Sequence, residues 1–166
     1  MKSHFLPLLC ASLLFGSISN AQVIISEIHY HPVEEPVFLA DGTPALDLTD
    51  DVHEFVEIQN IGASSVNIGG WELTNGLEFT FPANTTIAAG GFRVVAKNPS
   101  RLTTVYALPA GSVLGPFTGK LSNDDDTVQL KNASGSTVDS VAYSARFPWA
   151  QTADALGAGQ DWTGID

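Results

Sequence analysis

The chain of 166 residues carries 7 basic and 18 acidic side chains, which gives a formal net charge of −11 at pH 7. This excess of carboxylates repels nucleic-acid phosphates and anionic lipid surfaces, and it excludes both as partners. The length suits a single domain with its own hydrophobic core.

The chain begins with the layout of a secretory signal peptide over residues 1–21. Lys2 supplies a positive start, residues 5–15 are apolar, and 19–21 offer small residues for cleavage. The apolar run is too short to span a bilayer. Cleavage before Gln22 would remove one lysine, taking the formal net charge from −11 to about −12, together with the only cysteine. We therefore expect a secreted protein, extracellular or on the cell surface, without disulfides and without a membrane span.

Short apolar runs separated by Gly, Pro, Asn and Asp follow one another along the rest of the chain, a pattern typical of an all-β sandwich or barrel. One helix is predicted over 99–106, because Pro99 suits a first helical position and Leu102, Val105 and Tyr106 share one face. A hairpin turn is predicted at 132–135. The predicted strands lie near 23–31, 53–60, 65–68, 71–74, 77–81, 85–87, 91–97, 112–118, 127–131 and 137–143.

The order of several segments resembles the lamin-tail domain. They are VIISEIHYHP (23–32), HEFVEIQN (53–60), GWEL (70–73), FTFP (79–82), IAAGGFRVV (87–95) and LSN (121–123). The resemblance covers about residues 22–145 and is closest to members found in secreted bacterial proteins. It implies an immunoglobulin-like β-sandwich with one short helical segment, and a domain that binds or connects rather than catalyses.

Strand alternation predicts which side chains form the core. On the first strand Ile24, Ile28 and Tyr30 are expected to share the inward face, and on the second strand Val56 and Ile58 do so. The further core candidates are Trp71, Leu73, Phe79, Phe81, Val94, Val128, Leu130, Val138 and Val141. We interpret Trp71 as a core residue rather than a sugar-stacking one, because burying an indole removes a large apolar area from water.

A candidate transition-metal site lies on the opposite face of the first two strands. Glu27, His29 and His31 follow one another at a spacing of two, and antiparallel pairing would bring His53 and Glu57 beside them. Imidazoles with a carboxylate suit zinc or a similar ion. The alternative is a solvated strand face without a metal. A carboxylate pair such as Glu27 with Glu57 would also resemble a glycosidase dyad, although exposed carboxylates usually only aid solubility.

A candidate calcium site lies in the long connection 33–52. Its ligands would include Asp41, Asp47, Asp50 and Asp51, since calcium prefers several flexible oxygen ligands. The alternative is a solubilising loop that binds nothing. A second acidic run, 124–126, is interpreted as a turn, because Asp and Asn are common turn formers.

The C-terminal tail, 146–166, is expected to pack Phe147 and Trp149 on the sandwich and to remain flexible beyond them. No nucleophile or phosphate-binding loop stands in a recognisable setting. The resemblance therefore implies a non-catalytic binding or scaffolding module without a cofactor, whose partner is a protein or a polysaccharide. Two alternatives stay open: a metal-dependent hydrolase that uses His29, His31 and His53, or a structural spacer of a larger secreted protein.

Overall fold

The computed structural model describes residues 22–32, 36–46, 52–147 and 149. Among these residues, thirteen strands and one helix follow in chain order: β1 Val23–His29, β2 Pro36–Phe38, β3 Pro44–Leu46, β4 Phe55–Asn60, β5 Val66–Asn67, β6 Glu72–Thr74, β7 Leu77–Thr80, β8 Thr86–Ile87, β9 Phe92–Ala96, α1 Pro99–Val105, β10 Val113–Leu114, β11 Thr118–Gly119, β12 Asp125–Lys131 and β13 Thr137–Ser144. In this part of the chain no helix is long and apolar enough to cross a membrane.

Two sheets enclose the core. The four-stranded sheet has the order β1-β4-β9-β10, and the five-stranded sheet has the order β11-β7-β6-β12-β13. Their pairings are antiparallel except for β9 with β10. Both sheets supply fully buried side chains to one cluster, including Val56, Ile58 and Val95 from the first and Leu73, Val128 and Leu130 from the second. The predicted immunoglobulin-like β-sandwich with one short helix is confirmed.

A β-bulge at Ser26 sets the faces of β1. Ile25 pairs with Ile58 and Glu27 with Glu57, so Ser26 is an extra residue on the edge strand. An extra residue reverses the alternation of side chains beyond it. Val23 and Ile25 are therefore buried before the bulge, whereas Ile28 and Tyr30 face the core after it.

The core prediction holds for most of its residues. Val56 and Ile58 are fully buried, and Tyr30 and Phe81 nearly so, while Ile28, Trp71 and Phe79 are half-buried against the same cluster. Two assignments were wrong. Ile24 lies outside the core because the bulge puts its neighbours Val23 and Ile25 inside. Val94 is half-buried on the outer face of the four-stranded sheet, because the adjacent Val95 takes the inward position.

The helix covers part of that outer face. Asn98 caps α1 by accepting a hydrogen bond from the backbone N–H of Arg101, and Pro99 occupies the first turn. Leu102 is buried in a second small cluster with Ala96 and Val113, against which Phe55 and Val94 pack. The helix thus packs on β9 and β10 of the four-stranded sheet.

The predicted strand 112–118 is two strands in different sheets. β10 is the last strand of the four-stranded sheet, and β11 is the first of the five-stranded sheet. The chain passes between them through the cis peptide Gly115–Pro116. A Cβ at Gly115 would overlap the carbonyl oxygen of Ala96, and its φ of 126° favours glycine. The two sheets are therefore joined by the chain on this side of the sandwich.

The connection predicted as a loop over 33–52 contains a small hairpin. Strands β2 and β3 pair antiparallel from Pro36 with Leu46 to Phe38 with Pro44. No strand was predicted within this connection, because prolines normally argue against strand structure.

Candidate functional site

Two carboxylates lie directly opposite each other on the outer face of β1 and β4. Glu27 pairs with Glu57 across the antiparallel strands, and the hydroxyl of Ser26 donates a 2.8 Å hydrogen bond to Glu57 Oε1. Partial burial, and then the charge of Glu57, raise the pKa of Glu27 above its ordinary value. The pair is therefore a site of like-charge repulsion that a cation would relieve.

His29 and His53 lie close to each other at the end of these strands. The His29 ring stacks on Phe55 with 4.8 Å between centroids and an angle of 12°. Burial, followed by the charge of nearby His53, lowers the pKa of His29. His53 is 7 % exposed, and its Nε2 accepts a hydrogen bond of 3.3 Å from Nε of Arg101 on α1. Both imidazoles are held by packing against the sheet and the helix.

The five predicted ligands do not converge on one point. Glu27 is placed with Glu57 and His29 with His53, while His31 is buried beyond the end of β1. In the described ranges, no group of three or more His, Cys, Asp or Glu side chains is placed to hold a metal ion. The donor set for the transition-metal site, and for the hydrolase that would use it, is therefore not assembled there.

The predicted calcium ligands are only partly within the described residues. Asp41 is exposed in the β2–β3 turn, where its Oδ1 accepts a 2.9 Å hydrogen bond from the backbone N–H of Thr43. That hydrogen bond lowers the pKa of Asp41. Asp47, Asp50 and Asp51 lie outside the described residues. The turn explains Asp41 without an ion, and the calcium site stays a prediction.

The acidic run 124–126 leads into β12, which begins at Asp125. The Ser122 hydroxyl accepts hydrogen bonds from the backbone N–H groups of Asp124 and Asp125. Asp126 Oδ1 accepts one from Thr127, and Asp124 lies 3.8 Å from Arg146 in an exposed ion pair. The interpretation as a turn holds only for Asp124, because Asp125 and Asp126 already belong to β12.

A groove lies between the edge strands of the two sheets. β1 is the edge of one sheet and β13 the edge of the other, and the two strands are in contact. The groove has a volume of about 240 Å³ and its walls are mainly apolar. It is lined by Ile25, Ser26, Glu27, Ile28, Tyr30, Val141, Tyr143, Ser144 and Trp149.

Two stacked tyrosines form the base of this β1–β13 groove. Tyr30 and Tyr143 are nearly buried, with ring centroids 4.5 Å apart. The Tyr143 hydroxyl donates a 2.9 Å hydrogen bond to the Ser122 carbonyl, and burial raises the pKa of Tyr143 far above its ordinary value. The phenol is therefore neutral at physiological pH and acts as a fixed, packed surface.

The position of the tail residues agrees with the sequence in part. Trp149 lines the groove and keeps 46 % of its surface exposed, so an indole face remains open to solvent. Phe147 is 86 % exposed, and the prediction that it packs on the sandwich was wrong. Asp139 Oδ2 on β13 accepts a 2.8 Å hydrogen bond from the backbone N–H of Ile25 on β1. This hydrogen bond links the edge strands of the two sheets.

Two buried polar residues of β4 and its approach were missed by sequence reasoning. Glu54 is fully buried, and its Oε2 accepts a hydrogen bond of 3.3 Å from the backbone N–H of Leu121. Asn60 is also fully buried. Both lie at alternate positions along the chain with the core residues Val56 and Ile58. The alternation of the second strand could therefore have identified them as inward-facing.

The two-sheet sandwich, with its groove between edge strands, defines an immunoglobulin-like module. The chain belongs to the Lamin Tail Domain family, whose model matches residues 17–145. This confirms the family resemblance and supports a non-catalytic module. A comparison with curated proteins found no match.

Proposed function

We propose that this chain is a secreted, non-catalytic binding module of the cell surface or extracellular space, and that it binds its partner through the β1–β13 groove. The observation that carries the proposal is the groove itself, with half-exposed Trp149 above the stacked tyrosines. Exposed indoles on packed apolar surfaces are frequent anchors of protein interfaces. Membership of a family of immunoglobulin-like modules agrees with this role.

The size of the groove supports recognition of side chains. Pockets that enclose a small-molecule ligand typically have volumes of roughly 300–1,000 Å³, and the groove has about 240 Å³. It is open along the two edge strands and suits one part of a larger partner. A protein therefore fits the groove better than an enclosed substrate or cofactor does.

Secretion is supported by the N-terminal pattern of Lys2, an apolar run and small residues before Gln22. N-terminal sequencing of protein recovered from the medium should begin at Gln22 or its cyclised form. A mature product that retains Met1 would contradict both secretion and the loss of the cysteine.

The binding role is tested with the secreted protein immobilised and exposed to the native extracellular fraction at physiological salt. We expect it to retain a specific partner that the bare matrix does not retain. The Trp149→Ala variant should retain much less of it, whereas the Phe147→Ala variant should behave as wild type. A wild-type protein that retains nothing above the matrix would contradict the proposed function.

A further inference from the structure

Glu27 connects the groove to the carboxylate pair. It is one of the residues that line the groove, and it lies directly opposite Glu57. Like charges directly opposite each other on neighbouring strands are destabilising. Both residues are held in this register by the bulge at Ser26, whose hydroxyl bonds to Glu57. The rim of an apolar groove thus carries one carboxylate, Glu27, with a second, Glu57, opposite it on the neighbouring strand.

The described lining of the groove carries one formal charge, which is negative. Apart from the two tyrosines, Glu27 is the one residue with an ionisable side chain among the described residues that line the groove. The chain as a whole carries −11. A ligand that brings a positive charge to this rim would relieve the repulsion and be attracted by the surrounding field.

We propose that the β1–β13 groove binds an extended peptide segment of a partner protein in which a lysine or arginine adjoins an aliphatic or aromatic side chain. The apolar side chain lies against Tyr143 and Trp149, and the cation lies between Glu27 and Glu57. This inference rests on the proposed function and gives the chemistry of the partner.

Other occupants match the charge and the lining less well. A neutral sugar would stack on the indole but would leave the carboxylate pair uncompensated. The chain's own segment after Trp149, residues 150–166, contains three aspartates and no lysine or arginine, so its charge has the same sign as the rim. A basic peptide is the occupant that both the apolar wall and the carboxylates favour.

A phage library of random dodecapeptides, selected on the secreted protein, identifies the preferred chemistry. We expect the selected peptides to be enriched in lysine or arginine next to an apolar residue. One synthetic, fluorescently labelled peptide from this set then serves as the probe in anisotropy titrations. Its affinity should fall as salt is raised, because the paired charges are at the surface.

Matched variants assign binding to the groove. Trp149→Ala should weaken the probe's affinity by about tenfold or more, and Glu27→Gln by about threefold. The controls Phe147→Ala and Glu78→Gln remove a more exposed aromatic ring and an exposed carboxylate of β7, and they should change nothing. Thermal melts of all four variants verify that each remains folded.

The outcomes separate this inference from the proposed function. Selection of acidic or purely apolar peptides, or a probe indifferent to both groove variants, would overturn the peptide chemistry. Binding of a neutral oligosaccharide on a glycan array, in a manner that depends on Trp149, would also overturn the peptide chemistry. In each of these cases, retention of a partner from the extracellular fraction would still support a binding module. If the wild type retains no partner, the proposed function fails first.

Discussion

The side-chain nitrogen of Asn60 donates a 3.0 Å hydrogen bond to the carbonyl oxygen of Ile87 inside the sandwich, where Asn60 has no exposed surface. The same nitrogen donates to the carbonyls of Ser64 at 2.7 Å and Ala88 at 3.0 Å, and its Oδ1 accepts from the backbone N–H of Gly62 at 3.0 Å. One amide thus ties the end of β4 to the turn that follows it and to the end of β8.

Asn60→Ala should lower the free energy of unfolding by about 3 kcal/mol, because several buried backbone groups lose their partner at once. The matched control is Asn67→Ala, which removes an exposed amide that accepts one hydrogen bond from Gly69. Its cost should be about 1 kcal/mol or less. Urea denaturation measures both variants, and equal losses would show that the buried amide has no special structural role.

Trp71→Ala should lower the free energy of unfolding by about 2–3 kcal/mol. Deleting a fully buried aromatic ring costs about 3–5 kcal/mol, and Trp71 is only half-buried against the core cluster. Phe147→Ala is the control, because that ring is 86 % exposed. If chemical denaturation shows the two variants to be equally stable, Trp71 does not support the core and is available for a ligand.

Removing the ionisable group of His29 should flatten the pH dependence of stability. The folded pKa of His29 lies below the ordinary value of 6.5, so the unfolded chain binds the proton more readily. The stability that His29 contributes is present above about pH 6.5 and is lost as the pH falls through the folded pKa. The His29→Phe variant keeps an aromatic ring stacked on Phe55 but has no group that binds a proton.

The comparison is made by urea denaturation of His29→Phe and wild type between about pH 5 and 8. The variant's free energy of unfolding relative to wild type should rise as the pH falls. A difference that stays constant with pH would show that folding leaves the imidazole pKa unchanged.

Glu27→Gln should stabilise the domain slightly at neutral pH. The folded pKa of Glu27 is raised above 4.5, so the stability linked to its protonation is fully present below that pH and is lost as the pH rises through the folded value. Glutamine removes the charge that opposes Glu57. The gain should stay below about 1 kcal/mol, because Glu27 is largely exposed and its charge is screened.

The gain should disappear in melts at pH values well below 4.5, where the wild-type carboxyl is protonated. Glu78→Gln serves as the control, since Glu78 is exposed on β7 of the other sheet. Destabilisation by Glu27→Gln at neutral pH would contradict like-charge repulsion across β1 and β4.

Much of the sandwich was predictable because its strands are short, apolar and separated by turn residues. The alternation of Val56 and Ile58 identified the inward face of β4, and Pro99 identified the start of α1. Of the predicted helix face only Leu102 is buried, whereas Val105 and Tyr106 are exposed. Regular periodicity carries such information even in a single sequence.

The sequence could not show where that periodicity is interrupted. The residues around Ser26 contain no signal that predicts the bulge. Regular alternation along β1, with no bulge, therefore placed Ile24 in the core. Strand alternation also could not show how the predicted metal ligands are grouped. Sharing a strand face brought Glu27 opposite Glu57, but it could not show that His53 would accept a hydrogen bond from Arg101 on the helix.

The groove was also beyond sequence reasoning, because it depends on how two edge strands meet. Tyr30 and Tyr143 are far apart in the chain, and their stacking follows only from the contact of β1 with β13. Trp149 was expected to pack on the sandwich, but not at a groove. Contacts between residues so far apart in the chain can be identified only once the arrangement of the two sheets is known.

The most direct test of binding at the groove is an NMR titration of the ¹⁵N-labelled secreted protein with the partner retained from the extracellular fraction. We predict that the largest shift changes fall on the amides of β1 and β13 and on the indole N–H of Trp149. Changes concentrated instead on the face formed by α1 and β10, with the Trp149 signal unmoved, would contradict the groove as the binding site.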